Sequence, residues 1–85
     1  MKLKLRKDLA YRRIAGELFI VDAAGARLHE LNGTAALMWE GLAAGRSEAA
    51  IAAAVAAEFE VDERTARADL ETFTGELLKK GLIAG

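Results

Sequence analysis

The apolar residues change their spacing between Leu28 and Thr34, and this change constrains the fold more than any other feature of the sequence. Before it, charged and apolar residues alternate, as they do along β-strands; after it, apolar residues return every three or four positions, as they do along helices. The sequence therefore predicts a small domain in which the strands come first and the helices come last. The last strand of such a domain can keep one edge free to accept an extended peptide from another molecule.

The length and composition exclude several classes of function. The 85 residues suffice for one small core of marginal stability, and we expect residues 1–9 to form a basic arm or short strand and residues 10–85 a single domain. The chain has no Cys and one His, which argues against disulfides, a thiol nucleophile and an ordinary zinc site. No continuous apolar run follows the basic N-terminus, so we expect a cytoplasmic protein without a signal peptide or membrane span.

Three segments have the alternation typical of strands, namely Ala10 to Ile14, Glu17 to Asp22 and Ala26 to Leu31. The middle segment is apolar on both faces, which predicts a central strand that is covered on at least one side. Gly16 and Gly25 mark two hairpin turns, and we expect Gly25 to supply a positive φ.

Three helices are predicted after the strands. Asn32, Ser47 and Asp62 each have the chemistry of a helix N-cap, and the helix from Glu63 to Lys80 is the longest. The core stripe of this third helix comprises Ala66, Leu70, Phe73 and Leu77. The expected fold is α+β and winged helix-turn-helix-like, with a three-stranded antiparallel sheet followed by three helices.

The charge distribution bears on DNA binding, the alternative function that this shape suggests. Residues 1–31 carry seven basic and four acidic side chains, whereas residues 32–85 carry five and nine, so the helical part is acidic. In a DNA-binding winged helix the start of the third helix enters the major groove, but here Arg64 and Arg67 are accompanied by Glu63 and Asp69, which phosphates repel. We therefore expect no nucleic-acid partner.

Catalysis has no residue to support it. His29 is the only side chain whose usual pKa lies near neutrality, and its neighbour Glu30 points to the opposite face of the strand. The sequence contains no nucleophile elbow, P-loop, dinucleotide fingerprint or metal-ligand cluster, so we expect neither an enzyme nor a cofactor. The strand from Arg27 to Leu31 can be a plain outer strand or a template for an incoming peptide, and spacing alone leaves both open.

Several short motifs together resemble the PqqD family over about residues 10–83. They are, in order, Leu28 to Asn32, Thr34 to Glu40, Gly45 to Ser47, Phe59 to Val61, and Asp69-Leu70 with Phe73, Leu77 and Gly81-Leu82. Proteins of this family are RiPP recognition elements, which bind the leader of a ribosomally made precursor peptide and present it to a modifying enzyme such as a radical SAM enzyme or a leader peptidase. The resemblance therefore implies an adaptor without catalysis of its own.

The resemblance also implies a site, in which the leader pairs as an extra strand with the third strand and packs on the third helix. Carried over by position, it comprises Arg27, Leu28, His29, Glu30 and Leu31 on the strand, and Arg67, Asp69, Leu70, Phe73 and Leu77 on the helix. A Pro at His29 is expected to weaken leader binding if that amide is used, whereas Lys80→Ala is expected to change little.

The pathway and the assembly state stay open at this point. The absence of Pro and the Leu31-Asn32 junction differ from members dedicated to pyrroloquinoline quinone synthesis and look more like relatives in lasso-peptide and other clusters. We expect a monomer. Two alternatives are a dimer that pairs through Leu3, Leu5 or exposed groove residues, and an interaction domain whose partner is a folded protein.

Overall fold

The computed structural model describes residues 3–84 and contains the predicted sheet and helices. In chain order the elements are β1 (Lys4–Leu5), β2 (Ala10–Ile14), β3 (Glu17–Asp22), β4 (Arg27–Leu31), α1 (Gly33–Ala43), α2 (Glu48–Phe59), α3 (Glu63–Lys79) and β5 (Ile83–Ala84). Strands β2, β3 and β4 form an antiparallel sheet with β3 in the centre. The prediction of an α+β fold with three antiparallel strands followed by three helices is thereby confirmed.

The two ends of the described chain pair with each other. Strand β1 runs antiparallel to β5, with Leu5 opposite Ile83, and the backbone N–H of Arg6 donates to the carbonyl of Leu82 at 3.1 Å. Of residues 1–9, predicted as an arm or short strand, residues 1 and 2 lie outside the described residues. Because the paired residues are nearly 80 positions apart, this small sheet holds the N-terminal segment against the end of α3.

The core lies between one face of the larger sheet and the three helices. Leu18 and Ile20 of β3 are fully buried beneath the helices, which confirms the central, covered strand. Gly41 allows α1 and α2 to approach closely, since a Cβ at this position would lie 2.7 Å from Cγ1 of Ile51. The largest fully buried side chains are Trp39, Leu18, Ile20, Met38, Ile51, Leu70, Leu82 and Val55.

The two hairpins differ in their turn chemistry. Ala15 and Gly16 join β2 to β3 with φ of 52° and 84°, as a two-residue type I′ turn requires. In the β3–β4 turn the positive φ belongs to Ala26 (54°) and not to Gly25, so that prediction was wrong. Gly25 instead serves a close approach: its N–H donates to Oδ1 of Asp22 at 3.1 Å, and a Cβ would lie 2.8 Å from Oδ2.

Two of the three predicted N-caps form. The hydroxyl of Ser47 accepts from the N–H of Ala50 at 3.1 Å, and the carboxylate of Asp62 accepts from the N–H of Thr65 at 2.7 Å, which lowers the pKa of Asp62. Asn32 occupies the N-cap position of α1, but its side chain makes no cap hydrogen bond. Its backbone carbonyl accepts the first helical amides instead.

An ion pair joins the N-terminal segment to the β3–β4 hairpin. Nη1 and Nη2 of Arg6 each donate to one carboxylate oxygen of Asp22 at 3.1 Å, and Asp22 is only 5% exposed. The guanidinium of Arg6, followed by the N–H of Gly25, lowers the pKa of Asp22. Such a fork-to-fork pair fixes orientation as well as distance. Within residues 3–84, the helices are too short or too polar for any of them to cross a bilayer.

Candidate peptide-binding site at the β4 edge

Strand β4 is an edge strand. It pairs with β3 through the register from Asp22 opposite Arg27 to Leu18 opposite Leu31, and no strand of the described residues pairs with its other side. Its five residues span about 17 Å at ~3.3 Å per residue. A strand of this length with an unpaired side offers a row of backbone donors and acceptors to an incoming chain.

The first hairpin determines which groups of the central strand bond to which neighbour. A type I′ turn closes on a hydrogen-bonded pair, here Ile14 with Glu17. Hydrogen-bonded and non-hydrogen-bonded pairs alternate along an antiparallel ladder, so residues 17, 19 and 21 bond to β2. Residues 18, 20 and 22 therefore direct their backbone groups towards β4.

The same alternation identifies the free groups of β4. Arg27, His29 and Leu31 lie opposite the β3 residues that bond towards β4, so their N–H and C=O groups are used within the sheet. Leu28 and Glu30 direct theirs outwards, about 7 Å apart along the edge. The backbone N–H of His29 donates inwards to Ile20 of β3 and is not free to pair with an incoming peptide. A Pro at His29 would therefore disrupt the sheet, and its effect on leader binding would not show whether the peptide pairs with β4.

A groove of about 350 Å³ lies between β4 and the C-terminal half of α3. Its floor is apolar, with Leu31 and Phe73 partly buried and Leu77 and Leu82 almost fully buried. Its lining residues are Leu28, His29, Glu30, Leu31, Ala35, Phe73, Glu76, Leu77, Lys80 and Leu82. An extended peptide paired with β4 would direct every second side chain over this groove, because side chains alternate between the faces of a sheet.

The other edge of the sheet, formed by β2, is connected to α1 through its side chains. Strand β2 is also paired on one side only, and its Tyr11 lines a different cavity of about 400 Å³ together with residues of the N-terminal segment. Tyr11 packs edge-on against Trp39 with ring centroids 5.6 Å apart, and Arg13 forms a two-bond ion pair with Glu40. The β2 side is therefore attached to α1, whereas the β4 side leaves both its edge and its groove accessible.

His29 sits on the groove with one polar atom unsatisfied. Its side chain is half-buried, and Nε2 has no hydrogen-bond partner among the described residues. A buried nitrogen without a partner costs roughly 1–3 kcal/mol, so a donor or acceptor from a bound peptide would be favourable here. In the described chain no group of three or more His, Asp or Glu side chains is arranged to hold a metal ion.

The structure brings together six of the ten residues that the resemblance implied. Leu28, His29, Glu30, Leu31, Phe73 and Leu77 all line the groove. Arg27 begins β4 and is exposed, opposite Asp22. The other three do not line it: Leu70 is 1% exposed and belongs to the core, while Arg67 and Asp69 lie exposed on the N-terminal half of α3.

Four lining residues were missed. Glu76 and Lys80 share the helical face of Phe73 and Leu77 at spacings of three, four and seven, so periodicity could have found them. Ala35 and Leu82 come from the first turn of α1 and from the segment after α3, and no local signal points to them. Since Lys80 lines the groove, Lys80→Ala is unsuitable as a neutral control.

The comparisons with known proteins give one family and two solved structures. The family model described as "Coenzyme PQQ synthesis protein D (PqqD)" matches residues 17–83. The solved structure "TbiB1 in Complex with the TbiA(beta) Leader Peptide" is 26% identical, with a TM-score of 0.88 over 96% of this chain and 95% of that one. "Lasso peptide synthetase B1 complexed with the leader peptide" is 25% identical, with a TM-score of 0.89 over 100% of both chains. No curated protein gave a significant match.

These matches do not favour the DNA-binding alternative, and neither does the start of α3. There Asp62 and Glu63 accompany Arg64, and the residues from 63 to 65 are exposed, so the acids would face the phosphates. The family match runs from β3 to the first residue of β5 and thus includes the free edge, the groove and the helices that position them. This chain belongs to the PqqD family.

Proposed function

We propose that this protein is a RiPP recognition element, which binds the leader of a ribosomally synthesised precursor peptide as an extra strand on β4 and presents it to a modifying enzyme. The observation that carries the proposal is the free edge of β4, with two outward-facing residues above an apolar groove. Both solved relatives are complexes with leader peptides, which supports the same role here.

The backbone of the guest would bond to Leu28 and Glu30, each of which offers one N–H and one C=O. Four hydrogen bonds at a net ~0.5–1.5 kcal/mol each would hold any extended peptide, so they supply affinity without selecting a sequence. Selection would come from side chains of the guest that enter the groove, where an aliphatic or aromatic residue gains about 1.5–3 kcal/mol when fully buried. The groove volume of about 350 Å³ suits one or two such side chains.

The charges at the groove would select among peptides of similar shape. Glu76 and Lys80 line it on the side of α3, one charge of each sign, so neither sign dominates. We therefore expect binding that depends only moderately on salt, unlike binding to a nucleic acid. We further propose that the protein is a cytoplasmic monomer without catalysis of its own. The enzyme that it serves, such as a radical SAM enzyme or a leader peptidase, would decide the pathway.

Titration of labelled leader peptides by fluorescence polarisation tests the proposal. The peptides are synthesised from the small open reading frames beside this gene, with scrambled versions of the same composition as controls. We expect saturable binding of one native leader and none of its scrambled version. The absence of saturable binding to any of these peptides would contradict the proposal, as would steep salt-dependent binding to duplex DNA.

A further inference from the structure

The sheet has a second face that the helices leave uncovered. We call it the outer face, and it follows from the register: Leu18, Ile20 and Asp22 of β3 point into the molecule, so the alternate residues and their cross-strand partners point away. The outer face comprises Ala10, Arg12, Ile14, Glu17, Phe19, Val21, Leu28 and Glu30.

The outer face is apolar where a solvated sheet face is usually polar. Ile14, Val21 and Leu28 are 51%, 46% and 67% exposed, and Val21 lies directly opposite Leu28. Antiparallel sheets with one face in water normally alternate apolar-in and polar-out, yet most side chains of this face are apolar. Five of its eight side chains are apolar, so the outer face departs from that pattern and is a candidate interaction surface.

The charged side chains of the outer face form no ion pair within the described chain. Arg12 and Glu30 lie on either side of Phe19 in one cross-strand row. Glu17 and Glu30 are diagonal neighbours, and hydrogen bonding and repulsion between the two carboxyl groups raise the pKa of Glu17. A cation supplied from outside would remove this repulsion.

The size of the outer face argues against a second copy of this chain as its occupant. Three strands ~4.8 Å apart and about five residues long cover a plane of roughly 250 Å². A stable complex buries about 800 Å² on each partner. Protruding side chains enlarge this area, but the outer face alone remains smaller than the area that a stable dimer buries, and it suits a transient partner.

The position of the outer face connects it to the bound peptide. Leu28 and Glu30 belong both to this face and to the free edge of β4. A peptide paired with β4 would extend the sheet by a fourth strand, enlarging the face by about a third and adding every second side chain of the peptide to it. A protein docked here would therefore contact the adaptor and its guest together.

We propose that the outer face is the docking surface for the folded protein that receives the leader, and that this protein presents an apolar patch with a Lys or Arg side chain against Glu17 and Glu30. This inference rests on the proposed leader binding at β4. Since the bound leader forms part of the surface, the leader strengthens the binding of the receiving protein. Linkage then requires that the receiving protein strengthen leader binding by the same factor.

Val21→Lys tests the proposal, with Leu78→Lys as the matched control. The two side chains are 46% and 45% exposed, but Leu78 lies on α3, away from the outer face and absent from the groove lining. The probe is the purified modifying enzyme encoded beside this gene, titrated calorimetrically against the adaptor with and without a saturating leader peptide. We expect Val21→Lys to weaken enzyme binding at least tenfold and Leu78→Lys to leave it within twofold. Val21→Thr, which preserves the β-branched shape, should give a smaller loss in the same direction.

Leader binding by fluorescence polarisation separates the two proposals. Val21 makes no contribution to the free edge of β4, so its variants should bind leader within twofold of the parent. If the leader binds but the enzyme binds Val21→Lys as tightly as the parent, this inference fails while the proposed function stands. If the parent sediments as a dimer that Val21→Lys dissociates, a second copy is the occupant and the inference also fails. If no leader binds, the proposed function itself fails.

Discussion

The amide of Glu30 provides the sharpest test of peptide binding at β4. The register assigns the N–H of Glu30 to the free edge, while the N–H of the preceding residue bonds within the sheet. Pro at an edge position whose N–H faces solvent removes a donor without breaking a ladder bond. Glu30→Pro should therefore leave the fold intact and weaken leader binding.

The expected magnitude follows from the loss of one hydrogen bond. A backbone hydrogen bond contributes a net ~0.5–1.5 kcal/mol, which corresponds to about 2- to 13-fold in Kd. The larger penalty for a buried, unsatisfied acceptor does not apply, because the edge is open to water and the freed carbonyl of the guest can be hydrated. His29→Pro is the opposite case: it would leave the carbonyl of Ile20 unpaired inside the sheet, at a cost of roughly 1–3 kcal/mol in folding stability.

The assay combines fluorescence polarisation with thermal unfolding. Glu30→Ala is the control, since it removes the same side chain, including its contact with Glu17, but retains the amide. We expect Glu30→Pro to bind leader more weakly than Glu30→Ala, with similar melting temperatures for the two. Equal leader affinities of the two folded variants would refute the assignment of this amide to the guest.

Three further outcomes are expected. Ala15→Asn should raise the melting temperature by roughly 2–8 °C in a calorimetric scan. Ala pays roughly 1–2 kcal/mol for the φ of 52°, and Asn, which tolerates this conformation better, should recover about 0.5–1 kcal/mol of it. An unchanged or lower melting temperature would contradict the assigned turn. Phe73→Ala should weaken leader binding by about 1–2 kcal/mol in the polarisation assay, since its ring forms part of the groove floor, and full retention of affinity would place the peptide elsewhere. The pKa of Asp22 is lowered in the folded protein, so its pairing with Arg6 stabilises the fold above the unfolded pKa of about 3.9, and this stabilisation is lost as the pH falls below that value. Denaturant unfolding at several pH values should show that the free energy of unfolding of Arg6→Gln falls less steeply towards acid pH than that of the parent. An identical pH profile for the two proteins would argue against this ion pair.

The local features of the fold could be predicted because the sequence encodes them within a few residues. Ser47 and Asp62 cap their helices through amides three residues further on, so the sequence next to each helix start is sufficient. Asn32 has the same chemistry, but its side chain makes no cap hydrogen bond, and the next residue, Gly33, has a φ of 50° that departs from helical geometry in the first turn. The turn residues and the alternation of apolar and polar side chains predicted the strand order in the same way.

The site required long-range information that no local pattern contains. Leu70 and Phe73 belong to one helical stripe, yet the first is buried in the core and the second lines the groove, because only the C-terminal half of α3 lies beside β4. Leu82 reaches the groove because β5 pairs with β1 at the other end of the chain. The family resemblance implied which strand would pair with a peptide, but not which helix residues lie beneath it.

The sequence by itself determined the order of the elements, the position of the caps and the apolar alternation of the strands, since each depends on interactions between near neighbours. Only the tertiary structure decided that Leu28 and Glu30, rather than His29, offer their backbone to a guest, and that an apolar sheet face stays uncovered. Both depend on the register between strands and on the placement of helices on one side of the sheet. These arise when distant segments pack together, so they have no signature in any single segment.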